Sequence, residues 1–234
     1  ATSRGISRYD MIKDKIIPYN IKNNDEYYAS EIVADKKGNI WIATYNKGLY
    51  RYDPTTDSLQ LFPITFRGQT PPSYIRTIYI DNQNNLWIGY SVSAMLGKYN
   101  LDDQTSELIP LPNHTTINCL TKFGESQLWI GTDQGILAYN VKERQFVPIP
   151  TSLKKQSDIS SSKINSITLI DNDNYIITST RSAYKYCITT REVTPLSIGT
   201  KENSNKNNDI TCAMKDNQGN IWLGTVGQGF YNGL

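Results

Sequence analysis

The chain holds a single histidine, His114, among 234 residues. A metal centre built from several imidazoles is therefore excluded, and a Ser-His-Asp arrangement would depend on that one residue. His114 lies in the turn-rich stretch PLPNHTTIN and reads as a surface side chain. Cysteine is scarce too: Cys119, Cys187 and Cys212 are an odd number without Cys-x-x-Cys spacing, which indicates neither a zinc ribbon nor a disulfide framework. No run approaches the roughly 20 apolar residues that would span a bilayer. The opening ATSRGISRYD lacks the apolar centre of an export signal, so any signal or anchor is expected outside this stretch. An excess of one charge is also missing. With 24 basic and 22 acidic residues the net charge is +2, which offers no broad attraction for nucleic acid or anionic lipid. Amphipathic helical runs are few, and no helix follows GQGFYNG at 227–233, so that stretch is not a phosphate loop. No cofactor is expected.

What the chain does have is tyrosine, 16 against 5 phenylalanines, and 38% hydrophobic residues, ample for a core. Aromatic residues of this kind suit half-buried pleated surfaces, so the first inference is a β protein. It also has a repeat. DKKGNIWIAT (35–44), DNQNNLWIGY (81–90) and DNQGNIWLGT (216–225) are near copies, and a fourth tryptophan stands in QLWIGT. The tryptophans at 41, 87, 129 and 222 are separated by 46, 42 and 93 residues, so a degenerate copy is expected near 176. There the chain reads DNDNYIITST, with Ile176 in the tryptophan place. A second signature follows: GLYRYD at 48–53, GILAYN at 135–140 and SAYKYC at 182–187, with GISRYD at 5–10 and GFYNGL at the two ends.

From Gly5 to Gly229 there are five periods of just under 45 residues. A period of about 40–50 residues holding several short strands is the mark of a β-propeller. In the first full copy four strands are predicted, at Tyr28–Ala34, Ile40–Thr44, Leu49–Asp53 and Leu59–Pro63, joined by the turn sequences DKKGN, YNKG and DPTTDS. The second strand, IWIA, keeps no face for water, so it is expected between two other sheets. Trp41, Trp87, Trp129 and Trp222, with Ile176, are then wedges filling the space between neighbouring sheets rather than a sugar-stacking platform. The expected organisation is the last strands of a preceding blade over 1–24, blades at 25–68, 69–112, 113–155 and 156–202, and an incomplete blade at 203–234. A segment of a larger ring is favoured over a closed ring of five, because GISRYD and GFYNGL would compete for one place.

These residues resemble the two-component regulator propeller repeat found in the sensor domains of hybrid two-component systems of gut Bacteroidetes. The motifs that carry the resemblance are DKKGNIWIATYNKGLYRYD, DNQNNLWIGY with GKYN, QLWIGTDQGILAYN and DNQGNIWLGTVGQGF, and it covers essentially the whole chain. It implies seven-bladed periplasmic propellers followed by a sandwich domain, a membrane helix, a histidine kinase and a response regulator. It further implies a homodimeric full-length protein that senses oligosaccharides to control genes for polysaccharide use, with this segment itself non-catalytic. Streptogramin lyases carry comparable blades but rely on histidine and a metal, which the single histidine opposes. A scaffold propeller binding proteins through its rim is the third possibility.

The candidate binding residues follow from propeller geometry, in which the connections between second and third strands gather on one face with those between blades, and loops on a rigid scaffold carry recognition. These loops are TYNK (44–47), YSVS (90–93), TDQ (132–134), TRS (180–182) and VGQ (226–228). Tyr45 and Tyr90 offer aromatic faces for sugar C–H surfaces, and Asn46, Asp133, Gln134, Arg181 and Gln228 offer planar polar groups for hydroxyls. Arg67, in the interblade stretch ITFRGQTPPS, is a candidate anchor for an acidic sugar; the other long connection, SIGTKENSNKNND, is low in complexity. Asp35, Asp81 and Asp216 read as turn formers, since DNDN at 171–174 lacks the glycine and glutamate of a calcium loop. Ten residues before each tryptophan place stand Glu31, Thr77, Cys119, Ser166 and Cys212, a row expected to line a central channel.

Overall fold

The computed structural model describes residues 5–19, 27–66, 70–180, 182–196, 210–226 and 229–232. It is nearly all β. A hairpin of β1 (Ile6–Asp10) and β2 (Lys15–Tyr19) is followed by a sheet of β3 (Ala29–Ala34), β4 (Ile40–Thr44), β5 (Gly48–Asp53) and β6 (Ser58–Leu61). The next sheet holds β7 (Ile75–Ile80), β8 (Asn85–Tyr90), β9 (Met95–Asn100) and β10 (Ser106–Pro110), and the one after it β11 (Ile117–Phe123), β12 (Gln127–Thr132), β13 (Gly135–Asn140) and β14 (Gln145–Val147). Two single-turn helices, α1 (Thr151–Lys154) and α2 (Ser157–Ser160), lead to β15 (Ile164–Leu169), β16 (Asn174–Ser179), β17 (Ala183–Cys187) and β18 (Val193–Leu196). The chain closes its described part with β19 (Ile210–Lys215), β20 (Ile221–Thr225) and β21 (Phe230–Asn232). Every sheet takes its strands in chain order. Each is therefore an antiparallel meander, the blade of a β-propeller.

The chain divides into two compact units, Ala1–Ile117 and Asn118–Leu234. In the first, β7 packs on β3 and β4, and the shared core joins Trp41, Ala43 and Leu49 of one sheet to Ile75, Ile88 and Tyr90 of the next. In the second, β15 packs on β12 and β19 on β15 and β16, with Trp129 against Tyr175 and Tyr186. All six residues of β8 are buried, which is why NLWIGY carries no alternation of polar and apolar. Fully burying one Ile or Leu there contributes about 1.5–3 kcal/mol. Trp41, Trp87, Trp129 and Ile176 are no more than 3% exposed, whereas Trp222 of β20 is half-buried.

The helices α1 and α2 were not expected from the sequence. They bury Leu153 and Ile159 in the core of the second unit, and Asp158 of α2 accepts hydrogen bonds from Ser182 Oγ (2.6 Å) and Tyr184 Oη (3.3 Å). One turn each is too short to leave a helical period in the chain, so composition alone reads this stretch as loop.

Candidate functional site

The turn between first and second strands is where the repeat motif acts. Asp35 accepts hydrogen bonds from Lys37 N (2.9 Å), Asn39 N (2.8 Å), Asn39 Nδ2 (2.7 Å) and the Trp41 indole Nε1 (3.1 Å). Asp81 does the same for Gln83, Asn85 and Trp87, and Asp216 for Gln218, Asn220 and Trp222. The aspartate thus both shapes the turn and satisfies the indole N–H that burial would otherwise orphan. Burial pushes the Asp35 carboxyl up, but donors on Asn39 and Trp41 outweigh it and hold the group below the usual carboxylate range. Donation from Trp222 and then Asn220 brings Asp216 to about 2.

The two departures from the motif fit the same account. In the third sheet the aspartate place is Phe123, which stacks on Trp129 at 3.8 Å and 11°, while the indole donates to Gln127 Oε1 at 3.4 Å. Where Ile176 replaces tryptophan, Asp171 keeps only turn donors, Asp173 N and Asn174 Nδ2. Sequence reading assigned these aspartates to turns and missed their bond to tryptophan. The signal was present in the constant spacing of six residues between Asp and Trp.

The first strands carry a second recurrent device. Register shifts between Ala29 and Glu31, Ile75 and Thr77, Ile164 and Ser166, and Ile210 and Cys212 leave Ser30, Arg76, Asn165 and Thr211 as extra, bulged residues. A bulge re-aims its side chain. Ser30 Oγ donates to Ile75 O (2.8 Å) and Asn165 Nδ2 to Ile210 O (2.6 Å), each reaching the next sheet of its unit. Beside the first bulge, Glu31 Oε2 accepts from Thr77 Oγ1 (2.6 Å) and Ile78 N (2.8 Å). Burial raises the Glu31 carboxyl above its ordinary value, and the two donors offset part of that rise. Two members of the row expected to line a channel, Glu31 and Thr77, are thereby engaged with each other between sheets.

The candidate binding residues separate. Tyr45 and Asn46 stand in the turn after β4, half-buried, with the Arg76 guanidinium donating to Tyr45 Oη at 2.9 Å and lying 5.6 Å from its ring centroid. Asn46 Oδ1 accepts from Tyr28 N at 3.2 Å. In the other unit Asp133 and Gln134 are exposed in the turn after β12; Asp133 Oδ1 accepts from Asn118 Nδ2 at 2.8 Å and Gln134 N donates to Thr132 Oγ1 at 3.0 Å. Tyr90 needs correction as a surface contact: it ends β8 and is 0% exposed. Its ring turns inward because it continues the buried face of Leu86 and Ile88, four and two residues earlier in the strand. Arg67, Arg181 and Gln228 lie outside the described residues, as does the stretch 197–209.

His114 is exposed, and the three cysteines form no disulfide, Cys187 Sγ donating to Asp173 Oδ2 at 2.9 Å. Among the described residues no group of three His, Cys, Asp or Glu could hold a metal. Clefts recur at the opposite edge of the sheets, by the tryptophan turns. One of about 430 Å³ is lined by Asp35, Trp41, Arg51, Asn84 and Tyr99, and its counterpart in the second unit, of about 420 Å³, by Phe123, Gln127, Tyr186 and Arg191.

Residues 22–46, 70–91 and 205–227 match the family described as Two component regulator propeller. No curated protein matches the chain. Among solved structures, the chain is similar to the extracellular domain of BT3049 of B. thetaiotaomicron, described as a hybrid two component system, at 19% identity and a TM-score of 0.79, over 98% of this chain and 30% of that one. It is similar to the extracellular domain of BT4673 of the same organism at 20% identity and a TM-score of 0.57, over 92% and 32%. It is also similar to virginiamycin B lyase from Staphylococcus aureus at 16% identity and a TM-score of 0.67, over 94% and 70%. The chain spans less than a third of the two extracellular domains. At these identities the likeness shows the fold alone, a β-propeller.

Proposed function

We propose that this chain is a non-catalytic part of the extracytoplasmic sensor of a hybrid two-component system and that the sensor responds to an oligosaccharide. The observation that supports the reading is the pairing of three stretches matching the two component regulator propeller family with a likeness, over 98% of this chain, to part of the extracellular domain of BT3049, described as a hybrid two component system. On this reading the chain lies in the periplasm, other propeller blades and a sandwich domain adjoin it, and a membrane helix connects it to a histidine kinase in a homodimer. Its role is recognition: the blades supply rigid turns, and the turns supply the contacts.

Tyr45, pinned by Arg76, is a pre-ordered aromatic edge in the first unit, and Asp133 with Gln134 a polar edge in the second. Arg67, Arg181 and Gln228 are assigned to the same role on sequence alone. Isothermal titration of the whole ectodomain with a panel of plant and host oligosaccharides tests this. A saturable heat for one of them, diminished by Tyr45→Ala or Asp133→Ala with little change in melting temperature, is expected. Silence across the panel overturns the oligosaccharide, and turnover of a substrate overturns the non-catalytic assignment.

A further inference from the structure

GISRYD (5–10) and GLYRYD (48–53) share an arginine in fourth place and a tyrosine in fifth. Where the hairpin of β1 and β2 packs on the next sheet, that arginine meets a carboxylate. Arg8 Nη1 lies 3.2 Å from Asp57 Oδ1, and the same oxygen accepts from the hydroxyls of Tyr19 and Tyr52, each at 2.7 Å. Donation from these two hydroxyls, aided by the Arg8 charge, holds the Asp57 carboxyl below its ordinary value. Asp57 stands four residues past the end of β5, in the left-handed place (φ 47°) of the turn to β6.

One repeat further on, the arrangement recurs without its anion. Arg51 takes the place of Arg8, Phe62 that of Tyr19 and Tyr99 that of Tyr52, and the two rings keep the edge-on contact, 5.7 Å between centroids against 5.5 Å. Gln104, four residues past the end of β9 and again left-handed (φ 61°), takes the place of Asp57. The cation is kept and its carboxylate is lost. Among the described residues neither the Arg51 guanidinium nor the Tyr99 hydroxyl has a hydrogen bond or ion pair. Arg51, Tyr99 and Gln104 instead line the cleft of about 430 Å³ between the two sheets. The other charges on its wall are already matched: Asp35 is taken up by its four donors, and Lys37 Nζ pairs with Asp102 at 2.8 Å. In the second unit the roles reverse. Ala138 stands in the place of Arg51, and Arg191, in the left-handed turn place (φ 58°), lines the cleft of about 420 Å³ with no ion pair among the described residues.

A guanidinium presents a rigid fork of donors that matches a carboxylate, and a cleft of this size is that of a small-molecule site. We propose that the cleft beside Arg51 binds a small hydroxylated carboxylic acid. Its carboxylate takes the place that Asp57 holds one repeat earlier, between the Arg51 guanidinium and the Tyr99 hydroxyl, and its hydroxyl groups meet the amides of Asn39 and Gln104. The site lies at the tryptophan-turn edge of the sheets, opposite the turn residues assigned to oligosaccharide, and it stands or falls independently of that reading.

Isothermal titration of the whole ectodomain with D-glucuronate and 4-hydroxybenzoate, and with D-glucose and 4-hydroxybenzamide as their uncharged counterparts, tests the site. At least one acid is expected to bind saturably and about tenfold or more tightly than its counterpart, the worth of a hydrogen bond to a charged group. Which acid binds tells whether the hydroxylated body is a sugar or an aromatic ring. Two variants are expected to weaken that acid about tenfold: Arg51→Gln, which removes the cation, and Gln104→Asp, which supplies the carboxylate from the chain itself and copies the pairing seen at Arg8. Gln104 is exposed, and Asp57 shows that aspartate accepts its backbone conformation, so the second variant is read even where the first folds poorly. Silence with both acids, equal affinity of each acid and its counterpart, or an affinity unchanged in Gln104→Asp overturns the proposal.

Discussion

Removing the carboxylate of Asp35 should destabilise the first unit through Trp41 rather than through the turn alone. Asp35 is 8% exposed and Trp41 3%, so in Asp35→Ala the indole N–H loses its acceptor at a largely buried position. A buried donor left unsatisfied costs about 1–3 kcal/mol, and more when its partner was charged. The other three donors, Lys37 N, Asn39 N and Asn39 Nδ2, belong to a turn with solvent access and add a smaller share. The expected total is about 2–4 kcal/mol. The indole share is isolated by a cycle with Trp41→Phe, which removes the donor and keeps a ring. Urea unfolding of the two single variants and the double variant should give a coupling of about 1–3 kcal/mol, with Asp35→Ala far less costly in the Phe background. Gln127→Ala, which removes the long 3.4 Å bond to the Trp129 indole, should cost less than Asp35→Ala. If Asp35→Ala costs the same with tryptophan or phenylalanine at 41, the aspartate is a turn former only and the reasoning fails.

Three further outcomes are expected. The folded-state carboxyl of Glu31 titrates above its ordinary 4.5, so the stability linked to its proton is fully present below that value and is lost as pH rises through the folded value. Glu31→Gln copies the protonated form and keeps an oxygen for Thr77 and Ile78. It should therefore be more stable than the unaltered protein at neutral pH, with the gap closing below pH 4.5 in melts run across a pH series. In Gly89→Ala the new methyl would meet Ile117 Cγ2 at 2.5 Å and Thr77 Cγ2 at 2.6 Å, and overpacking of this kind should cost about 1–3 kcal/mol by urea midpoint. Thr132→Val removes the hydroxyl that donates to Gly135 O and accepts from Gln134 N at a position 1% exposed, and a loss of about 1–3 kcal/mol is expected by the same assay.

The motif WIGT shows how far each kind of information reaches. Its apolar run declared a strand buried on both faces, and the predicted span Ile40–Thr44 coincides with β4. Its glycine is explained only by packing, since a Cβ on Gly131 would meet Ile164 of the following sheet's first strand, 33 positions further on. Its final threonine closes a turn by a bond that spacing alone does not display. The bulges at Ser30, Arg76, Asn165 and Thr211 were likewise invisible, because one extra residue leaves the composition of a strand unchanged.

Among the candidate contacts, the turn placement of Tyr45, Asn46, Asp133 and Gln134 followed from local punctuation by Gly, Asn and Asp. The inward turn of Tyr90 did not, because whether a tyrosine at a strand end faces solvent or core depends on the space left for its ring, here beside Gly97, the cross-strand partner of Ile88, where a Cβ would stand 3.2 Å from Tyr90 Oη. The sequence by itself determined the β-propeller class, the repeat and the four strands of the first full copy with the turns between them, since these rest on period, apolar runs and local φ preferences that act within a few residues. Only the tertiary structure decided which donor meets which acceptor and where space is left over, because those outcomes depend on sheets brought together from positions about 45 residues apart, at distances of a few tenths of an ångström that no repeat pattern encodes.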